Sequence, residues 1–337
     1  MSFQLIDCTL RDGGNLNQWR FSDVAIGQII RGLDQARTDY IELGYLGGSG
    51  SHSPGEVGKT FDCTSEFLDE LPQTFHARKA IMIVPSVCSQ EQLSKLHTSQ
   101  VSLVRVASYP QDTAYAMSYI AALKDRGFQV AMNLMAASYA EPDQVARVAV
   151  EAERHGADIF YIADSYGSMT PGDVRQYVEA LKQSTDCEVG FHGHNNLGLA
   201  FVNVLEAMRS GASFIDTSLC GMARGAGNLP TEQFISALSH WEQFDTSYEV
   251  LPVVETADYV LNHVLEKPMR IAAPEIICGL HNIHYYYYDK ILDSRSGMQM
   301  QSAWNIAQSL GKLRPPKVHV SYVNKAIELT GGMKSES

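Results

Sequence analysis

The strongest constraint on the fold is an alternation of two periodicities. Eight short β-rich runs recur along the chain: FQLID (3–7), YIELG (40–44), AIMIV (80–84), SLVRVA (102–107), FQVAMN (128–133), IFYIAD (159–164), CEVGFH (187–192) and SFIDTS (213–218). Between them lie segments whose apolar residues follow helical spacing, among them GQIIRGLDQA, AYAMSYIAALKDRG, EPDQVARVAVEAERHGA, PGDVRQYVEALKQ and NVLEAMRSGA. A helix between two strands is the crossover that parallel pairing requires. Eight such units predict an α/β fold, a (β/α)8 TIM barrel, over residues 1–235. Periodicity alone also allows an open doubly wound sheet. The polar residues argue for closure, because Arg11, Asp12, Glu42, Asn133, Asp164, His192, His194 and Asp216 collect where strands end, the edge at which a barrel carries its chemistry.

Beyond residue 235 the alternation becomes irregular. PVVETADYVLNHVLEKP, HNIHYYYYDKILDSR, QMQSAWNIAQSLG and HVSYVNKAIELTG read as helices, so residues 240–330 are expected to form a helical extension packing on or near the barrel mouth. The ending GGMKSES is expected to fray.

Composition narrows the function. A net charge of -12, with no Lys/Arg run of five, excludes a general nucleic-acid binder. Charge appears too early in MSFQLIDCTLRDGG for a signal peptide, and no apolar stretch approaches the length of a membrane span. The six cysteines are widely spaced with no CxxC pair, which points to buried free thiols in a reducing compartment and to a cytoplasmic protein with no membrane partner.

Three motifs carry the chemistry. In FHGHNNLGLA (191–200), His192 and His194 are two residues apart, so a strand or its extension points both imidazoles to one side. Alone, the pair reads as half a metal site or as strand-end histidines at a turn. In DCTLRDGG (7–14), Asp12 offers a hard oxygen ligand and Arg11 a planar fork of donors for an anionic or enolate oxygen; the alternative is a surface ion pair. In GMARGAGNLPTE (221–232), glycines permit a tight loop and Asn228 offers an amide oxygen, with a purely structural turn as the alternative.

Taken in order, TLRDGG, FHGHNNLGLA and GMARGAGNLPTE resemble the metal-dependent aldolase and lyase barrels that include 4-hydroxy-2-oxovalerate aldolase, hydroxymethylglutaryl-CoA lyase and the isopropylmalate and homocitrate synthases. The resemblance implies Asp12, His192 and His194 as ligands of Mn2+ or Mg2+, with Asn228 as a further ligand or a neighbour of one. It implies Arg11 as the group that stabilises an enolate oxygen, and Ser165 and Tyr285 as substrate-binding residues. Zinc fits less well, since a bidentate 2-oxo acid favours a more nearly octahedral site.

The implied reaction is cleavage or formation of a 4-hydroxy-2-oxo acid through a pyruvate enolate, with an aldehyde as the other half. The alternative is an acyl-CoA lyase or Claisen-type condensing enzyme. Residues 221–228 contain no cysteine of the kind that the hydroxymethylglutaryl-CoA lyases carry in this loop, and Cys220 reads better as a strand-end core residue than as a catalytic one. A binding module that keeps its metal, or a structural protein that keeps only the glycine turns, would differ in pyruvate turnover and in metal content.

Smaller expectations concern the mouth. Glu42 and Asp164 end strands, as balancing charges for Arg11, as orienters of metal-bound water, or as buried structural pairs; Asn133 and Arg105 line the mouth or cap loops. The aldolase relatives place a histidine, the base for the substrate hydroxyl, three residues beyond the metal-binding aspartate, where this chain has Asn15. An amide orients a hydroxyl but cannot take its proton. His284, or failing it His281, is therefore the candidate replacement, against a metal-bound water, and Tyr285 to Tyr288 read mainly as an aromatic packing face. The resemblance also implies a homo-oligomer and an acylating aldehyde dehydrogenase as a possible partner through the helical extension.

Overall fold

The computed structural model describes residues 3–52, 55–241, 247–293, 300–315 and 319–330. Residues 331–337, expected to fray, lie outside these. Eight parallel strands close in sequence order, β1 (Gln4–Asp7), β2 (Tyr40–Leu46), β3 (Arg78–Ile83), β4 (Leu103–Ser108), β5 (Gln129–Leu134), β6 (Ile159–Asp164), β7 (Glu188–Gly193) and β8 (Phe214–Thr217), with β8 pairing back onto β1. The open-sheet alternative is thereby excluded. Each strand falls within two residues of its expected position, because strands buried on both faces must be apolar almost throughout.

The outer layer consists of α1 (Gly14–Asn17), α2 (Asp23–Gln35), α3 (Ser65–Glu70), α4 (Gln90–Lys95), α5 (Thr113–Asp125), α6 (Pro142–Arg154), α7 (Pro171–Ser184), α8 (Ala200–Ser210) and α9 (Thr231–His240). Their starts are legible. Pro142 and Pro171 occupy first helical turns, where a missing N–H costs nothing, and Thr170 and Asp173 cap α7 reciprocally. Inside the barrel, Ile6, Cys8, Tyr40, Ala80, Leu103, Ala131, Ile159, Tyr161 and Phe214 form a packed plug below the mouth.

The extension contains α10 (Val250–His263), α11 (Ala273–His281), α12 (Tyr285–Asp293), α13 (Met300–Leu313) and α14 (Ser321–Leu329). Val253, Ala257 and Val260 of α10 belong to the barrel's main core, whereas Ile277, Tyr287, Tyr288, Ile306 and Leu310 build a second core among the last four helices. The run HNIHYYYYDK is broken by Asn282, whose left-handed conformation (φ 53°) ends α11. That residue also docks the extension on the mouth. Ser138 and Ser168 each donate to its Oδ1 at 2.8 Å, and the Tyr139 hydroxyl donates to its carbonyl at 3.0 Å. Among the described residues no helix is long and apolar enough to cross a membrane.

Candidate metal centre

His192 is the last residue but one of β7 and His194 lies just beyond the strand, where a bridge to Asn228 continues the extended geometry. The two-residue period holds across that junction, so both rings face the same point. Their Nε2 atoms are 3.4 Å apart and stand 3.5 and 3.8 Å from Asp12 Oδ2. All three side chains are buried. The loop after β8 brings Asn228 alongside through Gly227, whose positive φ of 85° and close approach to the Gly221 carbonyl leave no room for a side chain. Asn228 Nδ2 donates to Asp12 Oδ2 at 2.9 Å, while its Oδ1 is buried with no hydrogen-bond partner.

A chain of ion pairs supports this cluster from below. Asp216 Oδ2 accepts from His192 Nδ1 at 2.8 Å, which keeps a proton on that nitrogen and turns Nε2 toward Asp12 and His194. The same oxygen accepts from Arg105 at 2.6 Å; Arg105 also donates to Glu42 (3.1 Å) and Asn133 (3.0 Å) and stacks 4.2 Å above the Tyr161 ring. Arg11 donates through Nε to Glu42 at 2.8 Å and pairs with Asp12 Oδ1 at 3.0 Å. Arg105 and Asn133, expected to line the mouth or cap loops, instead bond to each other in the interior, while Glu42 balances Arg11, one of its expected roles. Arg105 and Glu42 are wholly buried and hold one another.

Electrostatics follows from these contacts. Burial works to raise the Asp12 carboxyl, but Arg11 leads the contacts that outweigh it and hold it well below the usual carboxylate range. Burial holds His194 well below the usual histidine range, with Arg224, His192 and Arg11 acting in the same direction against Asp12. The centre thus offers one ionised carboxylate and a neutral imidazole, the states in which both bind cations.

The donor set fits a divalent ion. Asp12, His192 and His194 present their ligand atoms together, and the unpartnered Asn228 Oδ1 is an oxygen donor beside them. Cys8, His192 and Asp216 also lie within reach of one another, but Asp216 is already paired with Arg105, and burial raises the Cys8 thiol so that it stays protonated.

The other candidate residues gather around or away from this centre. Asn15 Nδ2 donates to the Asp12 carbonyl (2.9 Å) and to Oδ1 (3.2 Å). Ser165 Oγ accepts from the Ala136 N–H at 2.8 Å and, with Tyr166, His194, Asn196, Arg224, Gly225, Ile283 and Tyr285, lines a narrow cavity of about 10 Å3. His284 is buried beside it; its ring meets those of Tyr285 (4.8 Å) and Tyr166 (6.1 Å), and its Nδ1 accepts from the Tyr286 N–H. Burial lowers its pKa well below the usual value, with Arg224 and His194 adding to the effect. His281 instead packs 4.7 Å from the ring of Trp304. Asp164 accepts two backbone N–H groups of its own loop, from Ser168 and Met169, and burial raises it to about 6. Cys220 donates to the Ala257 carbonyl of α10, and burial pushes its thiol to about 12, as fits a core residue. Arg224 lies inside the glycine-rich loop of residues 221–232, but nothing in its spacing singles it out.

A (β/α)8 barrel with a carboxylate and two histidines converging at the strand ends, and an arginine beside them, defines the class of metal-dependent barrel enzymes. Comparison narrows the class. The HMGL-like family pattern matches residues 2–260. The chain is 31% identical over 284 residues to 4-hydroxy-2-oxovalerate aldolase from Geobacillus genomosp. 3, covering 84% of each. Its fold matches the carboxyl transferase domain of Rhizobium etli pyruvate carboxylase (TM-score 0.76, 18% identity, 99% of this chain and 62% of that one). It also matches HMG-CoA lyase from Brucella melitensis (TM-score 0.65, 19% identity, 77% of this chain and 98% of that one). At such identities the structural likeness concerns the fold alone. The chain belongs to the HMGL-like family, and it is a carbon–carbon lyase of that metal-dependent type.

Proposed function

We propose that the protein is a divalent-metal-dependent aldolase that cleaves or forms a 4-hydroxy-2-oxo acid through a pyruvate enolate. The observation that carries this reading is the convergence of Asp12, His192 and His194 with Arg11 at the C-terminal edge of the barrel, in a chain closely related to 4-hydroxy-2-oxovalerate aldolases. Mn2+ or Mg2+ suits a site that adds oxygen donors to two imidazoles. Such an ion supplies Lewis-acid stabilisation for the 2-oxo group as charge develops on it.

The residues divide the remaining work. Arg11, fixed by Glu42, directs its guanidinium at the oxygen that becomes the enolate, where donors gain strength as charge builds. Ser165 and Tyr285 orient the substrate from the cavity wall. In cleavage, the C4 hydroxyl gives up its proton, the C3–C4 bond breaks, and its electron pair enters the C2 carbonyl as enolate while the aldehyde leaves. Enolate protonation at C3 then gives pyruvate. Asn15 orients the hydroxyl or a water, and His284, buried as a neutral imidazole beside the cavity, is the base in this reading; taking the proton requires its Nδ1 to release the Tyr286 N–H. Cytoplasmic placement belongs to the same reading, supported by six free cysteines, five of them buried. So does self-association, supported by the exposed Leu251, Val254 and Leu261 of α10 and Ile276 and Leu280 of α11. An acylating aldehyde dehydrogenase is the heterologous partner that this chemistry suits, because it would consume the released aldehyde.

The test is an activity panel of 4-hydroxy-2-oxo acids beside acyl-CoA esters with Mn2+ and Mg2+ supplied, alongside methyl-proton exchange of pyruvate in deuterated water. Cleavage of the hydroxy acids and metal-dependent exchange are expected. Turnover of CoA thioesters alone would replace the aldolase with the acyl-CoA lyase.

A further inference from the structure

Arg224 lines the narrow cavity, with Arg11 and Arg105 buried near the metal centre. Arg11 and Arg105 are each tied to carboxylates, whereas Arg224 makes no ion pair or hydrogen bond among the described residues. It is half-buried, on the loop after β8, and shares the narrow cavity wall with the metal-site residue His194 and with Ser165, Tyr166 and Tyr285. Burial alone would weaken its charge, but the Asp12 carboxylate nearby offsets that, so it remains a guanidinium. Asp12 is not its partner: Oδ1 is taken by Arg11 and Asn15, while Oδ2 accepts from Asn228 and faces the two histidines. A half-buried, unpaired guanidinium beside a catalytic centre loses hydration with no return unless an anion arrives with the substrate.

Position says which part of the substrate that anion belongs to. Arg11, in the turn after β1, takes the enolate side. Arg224, on the loop after β8, lines the narrow cavity together with Ile283 and Tyr285 of the helical extension, and Arg11 is not among the residues of that lining; the C4 substituent of a metal-site aldol would extend toward this side. Resting on the aldolase reading above, we propose that Arg224 binds a second carboxylate carried by the carbonyl half of the substrate. The aldol of this enzyme is then a 4-hydroxy-2-oxo dicarboxylic acid, and its acceptor is a short oxo acid rather than an aliphatic aldehyde. The tight walls favour a planar carboxylate, which the guanidinium fork engages through two parallel hydrogen bonds, over a bulkier phosphate.

The experiment compares wild type, Arg224→Gln and Arg224→Lys on 4-hydroxy-2-oxoglutarate, 4-hydroxy-2-oxovalerate and the aldol of pyruvate with a phosphorylated aldehyde, together with metal content and pyruvate methyl-proton exchange. Wild type is expected to prefer the diacid. Arg224→Gln should lose on the order of 10- to 100-fold in kcat/KM for the diacid only. Arg224→Lys, which keeps the charge without the fork, should lie between. Metal content and exchange should stay at wild-type levels in both variants, which also shows that they fold. Equal loss on diacid and monoacid, no loss at all, or a preference for the phosphorylated substrate overturns the inference. So does lost pyruvate exchange, since Arg224 would then hold the 2-oxo acid's own carboxylate. Absence of exchange and of all cleavage in wild type would instead sink the aldolase reading, and this inference with it.

Discussion

Below the ligand cluster, Arg11 of the turn after β1 and the strand residues Glu42, Arg105 and Asp216 form a chain of buried ion pairs; above it, Arg224, Tyr166, His284 and Tyr285 sit on loops and on the helical extension. In the floor, every arginine has a carboxylate and each link fixes the next. In the roof, the one arginine has none, and aromatic rings with a neutral histidine make up much of the surface around it. A buried charge that loses its partner is strongly destabilising, so the floor tolerates little change. A roof residue can change without exposing an unpaired charge. The chemistry of enolate formation therefore belongs to the floor and the choice of carbonyl partner to the roof.

Breaking the floor at its ligands should have the largest effect. His192→Ala or His194→Ala removes a donor that nothing nearby replaces, and turnover should fall by on the order of 10^3-fold or more with bound metal lost in parallel. Metal analysis beside kinetics checks this; full metal content in either variant would remove that histidine from the ligand set. Arg11→Ala should lower kcat by about 10^2- to 10^3-fold while leaving metal content largely intact, because it serves developing charge rather than the ion. Parallel loss of metal would show that Arg11 acts through Asp12 instead.

The roof is probed by His284→Gln. Cleavage should fall by on the order of 10^2-fold, with metal content and pyruvate exchange kept, since the lost group handles the aldol hydroxyl and not the enolate. Near-normal cleavage would assign that proton to a metal-bound water. His281→Gln, at a residue that packs on Trp304, should leave both reactions near wild type.

The smallest effect concerns stability and contrasts two carboxylates of β1 and its following loop. Asp12 has Arg11 and is held low, whereas Asp7 is met only by neutral donors, the Thr231 hydroxyl at 2.6 Å and the Thr9 N–H at 2.9 Å, and burial raises it to about 6 from 3.8. The folded state then binds this proton more tightly than the unfolded one. The contribution of Asp7 is accordingly most favourable below pH 4 and declines as pH rises through about 6. Asp7→Asn should therefore gain stability relative to wild type across that window, by about 1–3 kcal/mol, read from urea melts at several pH values. A constant difference between pH 4 and 7 would mean that Asp7 titrates normally.

Much of this molecule can be read from local order in its sequence. Strand and helix periods place all eight barrel strands to within two residues, and the spacing of His192 and His194 sets both rings on one side of β7, because these relations concern neighbours one to four residues apart. Proline and threonine at helix starts act over the same range. What tertiary structure alone decided involves partners that no short-range pattern connects. Arg105 meets Asp216 across 111 positions and Glu42 across 63, so the polar strand ends are visible in the sequence while their pairing is not. Helix α10 reads as part of an extension but completes the barrel core, since its apolar stripe fits whichever surface the closed fold presents. Arg224 differs from no other loop arginine until closure of the barrel and docking of Asn282 place it beside His194 without a counter-charge.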